Sequence, residues 1–172
     1  MAQGDYENTV VPTYVTNYTN DTFIDVEAVT SCTCAVKTDG SVIGFGANTN
    51  NCLGAEVGTN TNVPVVISGL SNIQTIGYGV HHGIALSNDN NVYLWGRDNY
   101  GQLCSTAQKT EVTDLSGVQM VAAGRNHNVV LTVRKVYAWG DNTYGQVDNG
   151  DVLLVSTLET QPSIQYQTIL HL

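Results

Sequence analysis

The sequence predicts an all-β chain of four-stranded antiparallel sheets, repeated three to four times. Three observations lead there. The chain resembles itself at a regular interval, each copy has the texture of short strands between tight turns, and no segment sustains a capped helical period. Residues 31–54 (SCTCAVKTDGSVIGFGANTNNCLG), 81–104 (HHGIALSNDNNVYLWGRDNYGQLC) and 126–148 (NHNVVLTVRKVYAWGDNTYGQVD) align end to end. The glycines that follow an aromatic, Gly46, Gly96 and Gly140, lie 50 and 44 residues apart. About four short strands in a unit of that length is the signature of a β-propeller blade.

The elements follow in order. Residues 1–22 are polar and rich in Tyr, Thr and Asn, as expected of an N-terminal arm or a partial blade strand. The first repeat, about 23–70, opens on Ile24-Asp-Val-Glu-Ala-Val. It turns at Thr38-Asp39-Gly40-Ser41, where Asp and Gly favour tight turns, and continues through Val42-Ile43 to Phe45-Gly46. The second, about 71–115, opens on Ile73-Gln-Thr-Ile-Gly-Tyr-Gly and turns at Asn88-Asp89-Asn90-Asn91 into the β-branched and aromatic run Val92-Tyr93-Leu94-Trp95. The third, about 116–155, opens on Val118-Gln-Met-Val-Ala-Ala-Gly and runs Val136-Tyr137-Ala138-Trp139. Its connector, Val133-Arg134-Lys135, is one residue shorter, which predicts a tighter hairpin. Residues 156–172 are expected to begin a partial fourth unit.

Composition excludes several classes. The 172 residues carry 15 acidic and six basic groups, a net charge of −9, and only 12% are charged. Ample Val, Ile, Leu and Tyr argue against disorder, and no run is long and apolar enough to cross a bilayer as a helix. Four cations that a shared face would have to gather, Arg97, Arg125, Arg134 and Lys135, are few for a nucleic-acid surface. The start lacks the basic and apolar regions of a secretory signal, so a cytoplasmic or virion setting is favoured over secretion, and the two sequons at Asn17 and Asn20 fit chance. Cys32, Cys34, Cys52 and Cys104 lack disulfide-scaffold or zinc-knuckle spacing and read as reduced, half-buried small hydrophobes. Phosphate-binding glycine loops, nucleophile elbows and helical zinc motifs are missing. Asp148-Asn149-Gly150-Asp151 matches a calcium loop in composition only. No catalytic residue, metal ligand or cofactor is therefore expected.

The motif Ala122-Ala123-Gly124-x-x-His127, then Val136-Tyr137-x-Trp139-Gly140-x-Asn142-x-Tyr144-Gly145-Gln146-Val147, resembles the repeat of the regulator of chromosome condensation family. Val92-Tyr93-Leu94-Trp95-Gly96-Arg97-Asp98-Asn99-Tyr100-Gly101-Gln102-Leu103 is a second extended match. The first copy departs from it: Phe45 replaces Trp, Asn50-Asn51-Cys52 replaces Tyr-Gly-Gln, and Cys32 stands where His82 and His127 stand. The resemblance implies propeller blades, usually seven to a ring, and in the family's best-known member nucleotide exchange on a small GTPase.

The repeated residues read as structural. Trp95, Trp139 and Phe45 are placed to fill the space between neighbouring sheets, and Gly46, Gly96 and Gly140 to bend the chain or admit a close backbone. Asn99 and Asn142, with Gly101 and Gly145, belong to the following turns, and Gln102 and Gln146 are expected to tie one blade's loop to the next through their amides. His82 and His127 recur at one repeat offset, whereas a catalytic site needs different groups converging at one place.

Three copies fall short of the four to eight blades of a closed ring, which would leave apolar faces bare unless a second chain closes the ring, another protein docks, or further blades of a longer chain cover them. The expectation is a non-enzymatic interaction or structural module, joined to other chains as a homo-oligomer or within a larger assembly, without nucleic acid or membrane. Alternatives are a virion structural protein, such as a capsid decoration or tail fibre, and a guanine-nucleotide exchange factor.

Overall fold

A computed structural model describes residues 11–12, 14–15, 20–54, 57–104, 109–148 and 155–160. Within them lie three antiparallel sheets of four strands. The first holds β1 (Phe23–Val29), β2 (Cys32–Lys37), β3 (Val42–Gly46) and β4 (Thr61–Val66). The second holds β5 (Ile73–Tyr78), β6 (His82–Ser87), β7 (Val92–Gly96) and β8 (Lys109–Val112). The third holds β9 (Val118–Ala123), β10 (His127–Thr132), β11 (Val136–Gly140) and β12 (Val155–Thr160). Each sheet is a meander in which sequential strands pair. The first strand of each sheet packs on the first strand of the next, β1 on β5 and β5 on β9. This is the all-β arrangement of propeller blades, three of them in the described chain.

β12 departs from the expected unit boundary. It pairs with β11 through Tyr137–Thr160, Ala138–Glu159 and Gly140–Val155, so the third unit runs to Thr160 rather than ending at residue 155. The outer edge of β11 needs a ladder partner, and this segment supplies it. Residues 1–10 and 161–172, which carry most of the expected arm and partial fourth unit, lie outside the described residues.

The hairpins follow the turn chemistry. Lys37 N–H donates to Ser41 O and Ser87 N–H to Asn91 O, both at 2.9 Å, whereas in the third sheet Thr132 N–H donates to Lys135 O at 2.8 Å. The missing residue thus shortens the closing pair from i, i+4 to i, i+3.

The core is divided between the seams. Cys34, Val36, Val42, Leu53 and Ile67 of the first blade pack with Ile73, Ile76, Tyr78, Ala85 and Trp95 of the second. Ile84, Leu86, Val92, Leu94 and Leu103 of the second pack with Val118, Val121, Val130, Ala138 and Trp139 of the third. Each sheet therefore buries its core residues against a neighbour, each Å² of apolar surface removed from water contributing roughly 25 cal/mol.

Candidate interaction site: seams and open flanks

Each seam is tied by a backbone carbonyl six residues beyond the repeat glycine. The indole N–H of Trp139 donates to Gln102 O at 2.8 Å, and that of Trp95 donates to Cys52 O at 3.0 Å. Both rings are buried and reach back to the preceding blade. A second donor converges on each carbonyl: Asn128 Nδ2 on Gln102 O at 2.9 Å, and Tyr78 Oη on Cys52 O at 2.8 Å. Around them, Trp95 Nε1 lies 2.9 Å from Tyr78 Oη, the Cys34 thiol donates to the same phenol, and His82 Nε2 shares a 3.2 Å hydrogen bond with Asn128 Oδ1. Asp25 Oδ2 adds a link across the first seam, accepting from Thr75 Oγ1 at 2.7 Å and Ile76 N–H at 2.9 Å.

These joins differ from the amide ties expected of Gln102 and Gln146. Both amide oxygens turn back into their own loops, accepting from Tyr100 N–H and Tyr144 N–H at 2.8 Å. Because the seam acceptor is main chain, Cys52 serves where Gln102 serves, and side-chain identity carries no signal for it. The turn residues also shift by one. Asn48, Asp98 and Asn142 occupy one repeat position and accept from Leu53, Leu103 and Val147 N–H, pinning a buried apolar residue in each loop. Asn99, expected at this position, instead faces the Arg97 guanidinium, its amide oxygen accepting at 2.8 and 3.1 Å when oriented toward it. Pairing Asn99 with Asn142 overlooks that Asp presents the same acceptor oxygen as Asn. Gly101 and Gly145 take left-handed conformations in these turns, with Asn51 at the equivalent place in the first blade.

The repeated glycines and histidines are explained by contact. Gly46, Gly96 and Gly140 have φ of 106°, 100° and 112°, and a Cβ there would strike the carbonyl of Ser31, His81 or Asn126. The rings of His82 and His127 lie over Gly79 and Gly124, leaving no room for a Cβ. The first blade has Val29 and Cys32 at these two places, so the glycine and the imidazole are absent together. Burial, above all, lowers the pKa of His82 to about 4, which keeps its imidazole neutral. His127 is shifted down for the same reason. Cys32, Cys34 and Cys52 are buried thiols and Cys104 is half-buried; all four are free. Burial pushes Cys34 up to about 12. Among the described residues no group of His, Cys, Asp and Glu is arranged to hold a metal ion, and no helix is long and apolar enough to cross a membrane.

The four cations do not share a face. Arg97 and Arg125 both adjoin the Val80–His81 turn at the loop end of the second and third blades, whereas Arg134 and Lys135 sit in the hairpin at the opposite end of the third sheet.

Part of the outward face of the first and of the third blade repeats seam positions without their burial. Val26 is 63% exposed, while Ile76 at the same repeat position is 3% exposed against the first blade. Leu131 and Val136 are 38% and 36% exposed, while their counterparts Leu86 and Val92 are each 1% exposed. Ile24 and Val66 extend the first flank and Met120 the last.

The Regulator of chromosome condensation (RCC1) repeat matches residues 39–86 and 89–131, and a second form of that repeat matches 73–102 and 118–146. The chain belongs to the RCC1 repeat family. Relatives include the ultraviolet-B receptor UVR8 of Arabidopsis thaliana, 30% identical over 163 residues, covering 89% of this chain and 37% of that protein. Protein pim1 of Schizosaccharomyces pombe is 30% identical over 161 residues, covering 76% of this chain and 30% of that protein. Among solved structures, yeast RCC1 (Prp20) bound to Kap60 superposes with a TM-score of 0.70 at 21% identity, over 86% of this chain and 37% of that one. Human WBSCR16 superposes at 0.68 and 22% identity, over 83% and 40%. The chain thus spans between three and four tenths of the length of these proteins.

Proposed function

We propose that this chain is a non-enzymatic protein-interaction module of RCC1-type blades, and that its two flanks join it to further chains. The observation that carries the reading is the contrast between exposed Val26, Leu131 and Val136 and their buried counterparts inside the seams. A blade face built to seam specification and left in water is costly, and soluble proteins seldom keep contiguous apolar patches of several hundred Å² uncovered. Yeast Prp20 supports a protein as partner: Kap60 is bound to it in one structure, and another describes its binding to Gsp1p and histones. Those partners belong to a chain of which this one covers about a third. Nucleotide exchange on a small GTPase is the alternative that the family carries, and a nucleotide-release assay distinguishes it.

Sedimentation at micromolar concentration tests the principal reading. The chain is expected to run as an assembly, and Val26→Glu or Leu131→Glu to reduce it toward a single chain. A cooperatively melting single chain, unchanged by either substitution, would overturn it.

A further inference from the structure

We infer that the loop end of the second and third blades receives an acidic protein segment, whose carboxylates are held by Arg97 and Arg125 on either side of the Val80–His81 turn. The inference rests on reading the chain as an interaction module but uses a different surface from the flanks.

Backbone hydrogen bonds set the arrangement. Arg97 N–H donates to His81 O at 2.8 Å on one side of the turn, and Val80 N–H donates to Arg125 O at 3.0 Å on the other. The backbones of two arginines from different blades are therefore stitched to one short turn, one on each side of it. Arg97 is held further: its guanidinium lies 5.8 Å from the Tyr100 ring centroid, against the Asn99 amide oxygen. Arg125 is exposed.

Charge bears on the grouping. Among the described residues Lys37 lies 3.3 Å from Asp21 and 3.2 Å from Asp39, whereas Arg97 and Arg125, like Arg134 and Lys135, form no ion pair. What sets Arg97 and Arg125 apart is that both flank one turn and lie close enough to His81 for their charges to act on it. Partial burial, then the charges of Arg97 and Arg125, shift His81 below the ordinary histidine range. The same turn also lines a cleft toward the first blade, where Thr30, Ser31 and Thr49 add hydroxyls. Two forked guanidiniums with neutral donors alongside suit carboxylates, which they can bind in bidentate fashion. A phosphate backbone needs a longer basic track than two arginines supply.

The test uses the full chain and a fluorescent peptide of alternating Glu and Gly, with the matching Gln–Gly peptide and a single-stranded oligonucleotide of equal charge as comparators. The Glu peptide is expected to bind, to weaken at least about tenfold in R125Q and further in R97Q/R125Q, and to be little changed in R134Q/K135Q, which removes equal charge elsewhere. Equal melting temperatures establish that the variants fold, and R125Q, altering one exposed side chain, keeps the test independent of Arg97's packing. The inference is overturned if the Glu peptide fails to bind, if R134Q/K135Q weakens it as much as R97Q/R125Q, or if the oligonucleotide binds as well. The flank reading stands or falls separately, on the mass of the chain.

Discussion

The carbonyl of Cys52 offers a quantitative test of how the seams are held. It is buried and accepts from two donors, Trp95 Nε1 at 3.0 Å and Tyr78 Oη at 2.8 Å. Trp95→Phe removes the indole donor and part of a fully buried ring, costing about 2–3 kcal/mol from lost packing and one hydrogen bond. Tyr78→Phe keeps the ring and removes the hydroxyl, costing about 1 kcal/mol. Each single variant leaves the carbonyl one partner; the double variant leaves it none, and an unsatisfied buried acceptor adds about 1–3 kcal/mol. Either single variant already breaks the direct 2.9 Å Trp95 Nε1–Tyr78 Oη contact, which offsets part of this, so the double variant should be less stable than the sum of the singles by the remainder. Urea unfolding followed by circular dichroism measures all four corners of the cycle, at constant chain concentration because assembly also stabilises. A double variant more stable than the sum of the singles would show that the direct Trp95–Tyr78 contact, and not the shared carbonyl, dominates the coupling.

Two further outcomes follow from the repeat contacts and the buried imidazole. Gly124→Ala places a methyl against the His127 ring and should cost about 1–3 kcal/mol by overpacking; adding His127→Cys, which restores the small-thiol arrangement of the first blade, should recover part of that loss in thermal melts. For His82 the folded pKa, about 4, lies below its ordinary value of 6.5, so the unfolded chain takes up the proton first. Its contribution to stability is complete above pH 6.5, is lost as pH falls toward 4, and changes no further below that; the total is about 3 kcal/mol at 1.36 kcal/mol per pKa unit. His82→Gln should flatten that part of the stability–pH curve, and an unchanged slope would place the titration elsewhere.

Much of this protein is written locally. Strand-forming runs, Asx- and Gly-rich turns and the recurrence of Trp95-Gly96 and Trp139-Gly140 establish sheets, hairpins and repeat interval, because such features depend on a few adjacent residues. Even the tighter third hairpin follows from one missing residue. The tertiary structure decided how copies touch: the Cys52 and Gln102 carbonyls as seam acceptors, the inward-turned Gln amides, the assignment of β12 to the third blade, and the placing of Arg97 and Arg125 on either side of one turn. The physical reason is that a main-chain carbonyl looks the same in every residue, and two cations brought to one turn from different blades depend on how sheets stack rather than on spacing along the chain.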